Sequence, residues 1–331
     1  MLNRRQTLSL LSLGLPPLLA TTTAQAQATT FPSRPVTVIV PQPAGTPNDA
    51  IARKMLPGLQ QALGQPVVVE NLGGAGGTIG VNRVMSQPVD GHTLLIGTPT
   101  EMILSPLTIP DARYKPVDFT MLVQFGKISY VLCARPTLEV NSLADVLALK
   151  GKGGAPLTMG NIGVASMIHL ISLQFEKLST LNVTHVPYRG VAPIITDVMG
   201  GQLDLAFLPL AGGIAALIDQ GKLKAIGVST ARPSAMFPKF PTLAAGHSSF
   251  ANFDYDVWAG VMTRRDTPAP VQQRLYQALA GVMVEPEFLN WARSTGSSPA
   301  PVLSQAEAQA FYAREITRST ALLKAFPDVL K

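Results

Sequence analysis

Residues 35–49, Pro-Val-Thr-Val-Ile-Val-Pro-Gln-Pro-Ala-Gly-Thr-Pro-Asn-Asp, constrain the fold of this chain more than any other stretch. Val36 to Val40 has the apolarity and β-branching of a buried strand, and Pro41 stops it. A short loop of small and polar residues follows, and a helix is expected to start near Asn48 or Asp49. A strand ending in such a loop delivers backbone N–H groups to one point at the positive end of a helix. That is where an open α/β sheet binds an anionic ligand.

The chain repeats this arrangement. A helix reads as Asp49–Leu63, with Ile51, Met55, Leu59 and Leu63 recurring every four residues and Gly64 ending it. Val67–Glu70 reads as a second strand, Thr78–Ser86 as a short helix and Thr93–Ile96 as a third strand. This order implies a parallel, doubly wound sheet. From about residue 119 the pattern starts afresh. Strands are expected at Leu122–Phe125, Tyr130–Ala134, Leu157–Gly160, Val183–Val186, Leu203–Phe207 and Ala225–Ser229. Ser142 with Asp145 fits a capping box opening a helix to Lys150. Further helices are expected after the loop 161–166, at Ala192–Met199 and at Ile214–Asp219. The tail carries a strand at Val257–Met262 and helices at Gln272–Val284 and Gln305–Phe326. Two such units without a separate linker imply lobes joined by crossing strands. The expected division is 27–105 with 226–300, and 106–225 with 301–331.

Three loops, 42–49, 97–101 and 160–166, follow strand ends and are rich in Gly, Ser, Thr and Asn, so each can present amides and hydroxyls to a common cleft. Taken singly, each also reads as an ordinary βα loop with a helix cap. Other chemistry lacks its pattern. Gly73-Gly74-Ala75-Gly76-Gly77 has Ile79 where a dinucleotide fingerprint needs its third glycine, so it reads as a loop where two backbones pass closely. None of His92, His169, His185 and His247 pairs with another His, Cys or Glu at metal-ligand spacing. His169 reads as a hydrogen-bonded packing residue and Asp49 as a first-turn residue of its helix. No nucleophile elbow or paired acid and base is present, so neither a catalytic residue, a metal nor a cofactor is expected.

The N-terminus reads as an export signal: Arg4 and Arg5, an apolar run Leu8 to Ala20, and A-x-A sites for cleavage near Ala26 or Ala28. Residues 1–26 are therefore expected to be a signal peptide and the mature chain periplasmic. Of 26 basic residues, all but Arg4 and Arg5 remain after cleavage, against 20 acidic ones, a net charge near +4. They are scattered, which argues against nucleic acid and mildly favours small anions. Cys133 is the lone cysteine and reads as a small buried hydrophobe.

The chain resembles the receptors of tripartite tricarboxylate transporters, the Bug or TctC-like family. The resemblance is carried by Pro32-Ser33-Arg34-Pro35, by Val40-Pro41 through Ala44-Gly45 to Asn48-Asp49, and by Leu63 through Asn71. Gly73–Gly77, Asp90-Gly91-His92-Thr93-Leu94-Leu95, His185 through Gly190 and Gly200 through Asp204 continue it. It implies a two-lobed periplasmic-binding-protein fold of the Venus-flytrap type, each lobe a mostly parallel sheet flanked by helices. It implies a receptor that takes a small carboxylate, dicarboxylic, tricarboxylic or aromatic, to a membrane permease. The expected partners are that carboxylate and the permease subunits, with the receptor itself a monomer. A periplasmic sensor feeding a signalling system is the alternative. Carried over by position, Ala44, Gly45, Thr46 and Asn48 would line the first-lobe side, with Thr98 and Thr100 at the third strand's end. Asn161, Gly163 and Ser166 would come from the second lobe. The chain departs from the usual pattern at Pro47, which removes one loop amide while Thr46 adds a hydroxyl, and at Asn161 and Val164. Leu208, where many members are acidic, would suit an apolar ligand tail if it faced the cleft.

Overall fold

The computed structural model describes residues 31–150, 155–210, 213–234, 236–295, 298–299 and 301–330, and the chain from Phe31 onward forms one compact unit. The expected signal peptide and its cleavage sites lie outside the described residues.

The first half is built as its periodicity dictates. β1 (Val36–Val40) pairs in parallel with β2 (Val67–Asn71) on one side and β3 (Thr93–Gly97) on the other. α1 (Pro47–Leu63) connects β1 to β2 and buries Ile51, Met55, Leu59 and Leu63 against Val36, Val38 and Val40. Gly64 ends α1 at φ 68°, a left-handed conformation that glycine adopts without penalty, and its N–H returns to Gln60 O. α1 begins at Pro47, earlier than the sequence suggested. Proline suits this first position, because its missing N–H would have been an orphan of the helix end. α2 (Thr78–Met85) follows the glycine run, where a Cβ on Gly73 would lie 2.9 Å from Pro43 Cδ. The close passage of two backbones expected there is present.

β4 (Phe119–Ala134) departs from the sequence reading. Its 16 residues form one strand, where two short ones were expected. Phe119 to Ser129 pairs antiparallel with β9 (Asp256–Arg264), which also pairs with β3. The remainder, Tyr130–Ala134, pairs antiparallel with β7 (Leu205–Pro209) and β8 (Lys224–Val228). Beyond β7 lie β5 (Leu157–Asn161) and β6 (Val183–Pro187), all three parallel. The path runs β2-β1-β3-β9-β4-β7-β5-β6, so β4 is common to both halves. Two register shifts against β9, between Met121 and Val123 and between Gln124 and Gly126, bend it.

Helices cover the second half. α3 (Leu143–Leu147) is shorter than expected; Ser142 Oγ caps Asp145 N at 3.2 Å, but Asp145 returns to Asn141 N, so only half of the box forms. α4 (Met167–Ser179), α5 (Val191–Met199) and α6 (Ile214–Asp219) follow β5, β6 and β7. Phe175 and Phe207 pack with Leu132 and Phe250 in one apolar cluster, and Cys133 packs with Val131, Ile194 and Val198 in another. Burial pushes the Cys133 thiol pKa up, so it behaves as a hydrophobe. α7 (Ala269–Met283) and α8 (Pro286–Ser294) return to the first half. α9 (Gln305–Lys324) spans both: Phe311 and Tyr312 pack with Trp258, while Leu323 joins the cluster of Phe175 and Phe207.

Gly260 sits where β9 crosses the bent part of β4. A Cβ there would lie 2.6 Å from Val123 O, a backbone atom that cannot move alone. Gly260→Ala is expected to lower the unfolding free energy by about 1–3 kcal/mol in urea denaturation. A variant as stable as the wild type would show that the crossing is not close-packed.

Candidate functional site

The loops lie at the carboxyl ends of β1, β3 and β5, where open sheets bind ligands. In the loop after β1, Ala44 and Gly45 are exposed and Gly45 takes φ 84°. Thr46 is the N-cap of α1 and accepts Asp49 N at 3.4 Å. Its hydroxyl thus caps the helix end as an acceptor and keeps its own O–H to donate. Asp49 accepts Gly45 N at 2.9 Å and Arg53 Nε at 3.0 Å. Burial pushes the Asp49 pKa up, but Gly45, Arg53 and Asn71 together hold the carboxyl below its usual range. Asp49 is therefore a structural anion of the first turn. The N–H groups of Ala44, Thr46 and Asn48 have no acceptor among the described residues.

At the end of β3 the chain turns sharply. Thr98 and Glu101 are buried, and Glu101 accepts Thr98 N at 3.1 Å together with Thr98 Oγ1. Gln42, from the β1 loop, donates Nε2 to Glu101 Oε1 at 2.6 Å and accepts Asn48 Nδ2 at 3.2 Å. Tyr114 OH donates to Glu101 O at 2.5 Å. Gln42 and Glu101 join Thr98 to Asn48, and the sequence reading missed both. The signal was the spacing Thr98-x-x-Glu101, a capping box at a strand end.

In the second half, Asn161 Oδ1 accepts Gly163 N at 2.9 Å, closing a turn in which Gly163 takes φ 109°. Ser166 is the N-cap of α4: its hydroxyl donates to Gly163 O at 2.8 Å and accepts His169 N at 3.2 Å. Ala165, at φ 60°, donates its N–H to His169 Nδ1 at 3.2 Å. His169 also meets His185 edge to face at 5.1 Å, so it is the packing residue expected. The N–H groups of Val164 and Ile168 have no acceptor among the described residues.

The two halves meet directly at this site. Met167 N, in the first turn of α4, donates to Thr100 Oγ1 at 3.3 Å. This contact brings the β3 loop to the amino end of a helix from the other sheet. It joins Thr100 to the Asn161–Ser166 loop, while hydrogen bonds join Thr98 to Asn48. Leu208 is elsewhere: it is wholly buried with Val131, Ile194 and Val198, so it cannot serve as the cleft-facing apolar wall expected of it.

A separate cavity of about 330 Å³ lies where β9 passes between the halves, against α4 and α9, lined by Met167, Tyr255, Asp256, Arg318 and Ser319 among others. Ion pairs brace it: Asp256 meets Lys127 at 2.9 Å and Arg318 at 3.6 Å, and Arg318 meets Glu315 at 3.7 Å. Trp258 Nε1 donates to Glu315 Oε2 at 3.1 Å. Among the described residues, no group of three or more His, Cys, Asp and Glu is arranged to hold a metal, and no helix is long and apolar enough to cross a membrane.

Comparison with known proteins adds four findings of one kind. The family model described as tripartite tricarboxylate transporter family receptor matches residues 51–327. An R. palustris protein solved with adipate is similar in structure: TM-score 0.80, 27% identity, over 89% of this chain and 97% of that one. The periplasmic binding protein BugD is similar at TM-score 0.77 and 28% identity, over 90% and 98%. MatC from Rhodopseudomonas palustris, with bound malate, is similar at TM-score 0.75 and 25% identity, over 91% and 100%.

The site carries one titration with a defined sign. Burial, and then the neighbouring His185, lower the His169 pKa to about 4 from 6.5. Between those values the unfolded chain binds the proton and the folded one does not, so stability is full above pH 6.5 and falls as pH drops towards 4. His169→Asn keeps an acceptor at the Nδ1 position for Ala165 N–H and removes the titration. Its unfolding free energy, measured in urea across this range, is expected to lose that part of the pH slope; an unaltered slope would remove His169 as its source.

Proposed function

We propose, for a chain that belongs to the tripartite tricarboxylate transporter receptor family, that its strand-end loops close on a small carboxylate and that the loaded protein delivers it to the family's membrane permease. Membership makes the chain a two-lobed solute receptor and not an enzyme. The carboxylate class, the delivery step, periplasmic export by the N-terminal segment and action as a monomer belong to the proposal.

The observation that carries the reading is the contact of Thr100 with Met167, flanked by amides left open in both halves. An anionic oxygen between them would meet two helix amino ends, α1 and α4, each with a partial positive charge. The loops 42–49, 97–101 and 160–166 contain no lysine or arginine, and Arg53 is engaged with Asp49 and Asn71. Recognition by fixed amides suits a carboxylate, whose two oxygens accept from several donors. The solved relatives that hold adipate and malate support the choice of small dicarboxylates to try first. Proposed site residues are Ala44, Gly45, Thr46 (through its amide), Asn48, Thr98, Thr100, Asn161, Gly163 and Ser166.

Closure would turn on the strands shared by the halves, beside Trp258 and its bond to Glu315. The direct test is calorimetric titration with a panel of aliphatic and aromatic carboxylates, with tryptophan fluorescence followed in parallel. At least one acid is expected to bind and to shift the emission. No response from any of them in either measurement would remove the reading. Gly163→Ala supplies a sharper outcome. A Cβ there meets no atom within 4 Å, so only the left-handed backbone opposes it. We expect about tenfold weaker binding of whichever acid the wild type takes, as the loop amides shift. Unchanged affinity would show that the 161–166 loop does not hold the ligand.

A further inference from the structure

Glu101 lies beneath the proposed site and is buried without a Lys, Arg or His partner among the described residues. Its hydrogen bonds fix the direction of every donor above it. Thr98 N can only donate, so Glu101 Oε2 accepts there. Oε1 is also an acceptor, so Gln42 must turn its NH2 towards it. Gln42 Oε1 then faces Asn48, which must donate through Nδ2. Asn48 Oδ1 is the atom left over: among the described residues nothing in the protein donates to it, and it stands on the first turn of α1 with the open amides.

We infer that Glu101 is a positioning residue which, through Gln42, makes Asn48 present a hydrogen-bond acceptor to the ligand. The acids favoured are those carrying a donor, such as a hydroxyl, on the carbon skeleton, over acids carrying a keto oxygen there. The inference rests on the receptor reading and names the substrate class within it. Burial strengthens the hold of Glu101 on a proton. A proton shared between Oε2 and Thr98 Oγ1 leaves Oε1 an acceptor, so the direction of the relay does not change.

Glu101→Gln reverses the relay at constant shape. The new amide oxygen must stay on Thr98 N–H, so its NH2 faces Gln42. Gln42 turns over and donates to Asn48, and Asn48 turns over to present its NH2. The probes are malate with oxaloacetate, 2-hydroxyglutarate with 2-oxoglutarate, and the parents succinate and glutarate, titrated by calorimetry into the wild type and the variant. The wild type is expected to bind the hydroxy acid of a pair roughly tenfold or more tightly than the oxo acid, since a keto oxygen would oppose Asn48 Oδ1. Glu101→Gln is expected to reduce that ratio at least tenfold, whatever its effect on the parent acid. A merely structural role for Glu101 would weaken all acids alike. If the acids bind but the wild type shows no preference, or the variant keeps it, the relay is overturned and the receptor reading stands. If none of these acids binds, both the dicarboxylate reading and the relay fall. Should Glu101→Gln not fold, Asn48→Ala removes the acceptor itself and is expected to bring the ratio near one; a ratio that stays put overturns the inference.

Discussion

The antiparallel ladder between β4 and β9 is the constraint on which the rest of the molecule depends. It runs from the pair Phe119 and Arg264 to the pair Ser129 and Asp256, and β4 then continues into the second sheet. Two strands so bonded cannot be drawn apart without exposing or orphaning a row of buried N–H and C=O groups. They can twist. In the proposed closure, one half would therefore rotate against the other about the short crossing at Ile128–Tyr130 and Tyr255–Val257. The ion pairs of Lys127 and Arg318 with Asp256 brace that crossing from the outside.

This shared frame is also what makes a site. Each half, taken alone, has loops with a few unpaired amides at strand ends, which any open α/β sheet possesses. Held by β4 and β9, the loops approach until Met167 N reaches Thr100 Oγ1. The amino ends of α1 and α4 each carry a partial positive charge, and in the proposed reading both would act on the ligand. The anion Asp49 does not cancel this effect, because Gly45 N–H and Arg53 already neutralise it. In the proposed reading, specificity would depend on polar atoms fixed from below, Glu101 through Gln42 to Asn48, and less on charge.

Much of this was legible along the chain. The parallel strands, α1 with its four-residue stripe and the stop at Gly64 follow from period, breaker and cap. Asn48, Thr98, Thr100 and Asn161 were named from the resemblance, and the structure sets them at or after the ends of β1, β3 and β5. The single strand β4 was not legible: residues 126–129 read as a break between two strands, when they belong to a continuous strand that bends as it passes between sheets. Leu208 was expected just past a strand ending at Phe207, but β7 runs on to Pro209, and Leu208 packs with Ile194 and Val198 of α5. Gln42 and Glu101 meet across 59 residues of sequence, and a buried acid without a basic neighbour leaves no charge pattern to find.

The sequence by itself determined the local elements and the type of loop chemistry, because strand period, proline and glycine stops and helix caps act over a few residues. Only the tertiary structure decided which loops approach one another and what Gln42, the partner of Asn48, meets. Those outcomes rest on contacts between residues 59 and 67 positions apart, Gln42 with Glu101 and Thr100 with Met167. Their geometry is set by how two sheets fold about one common strand.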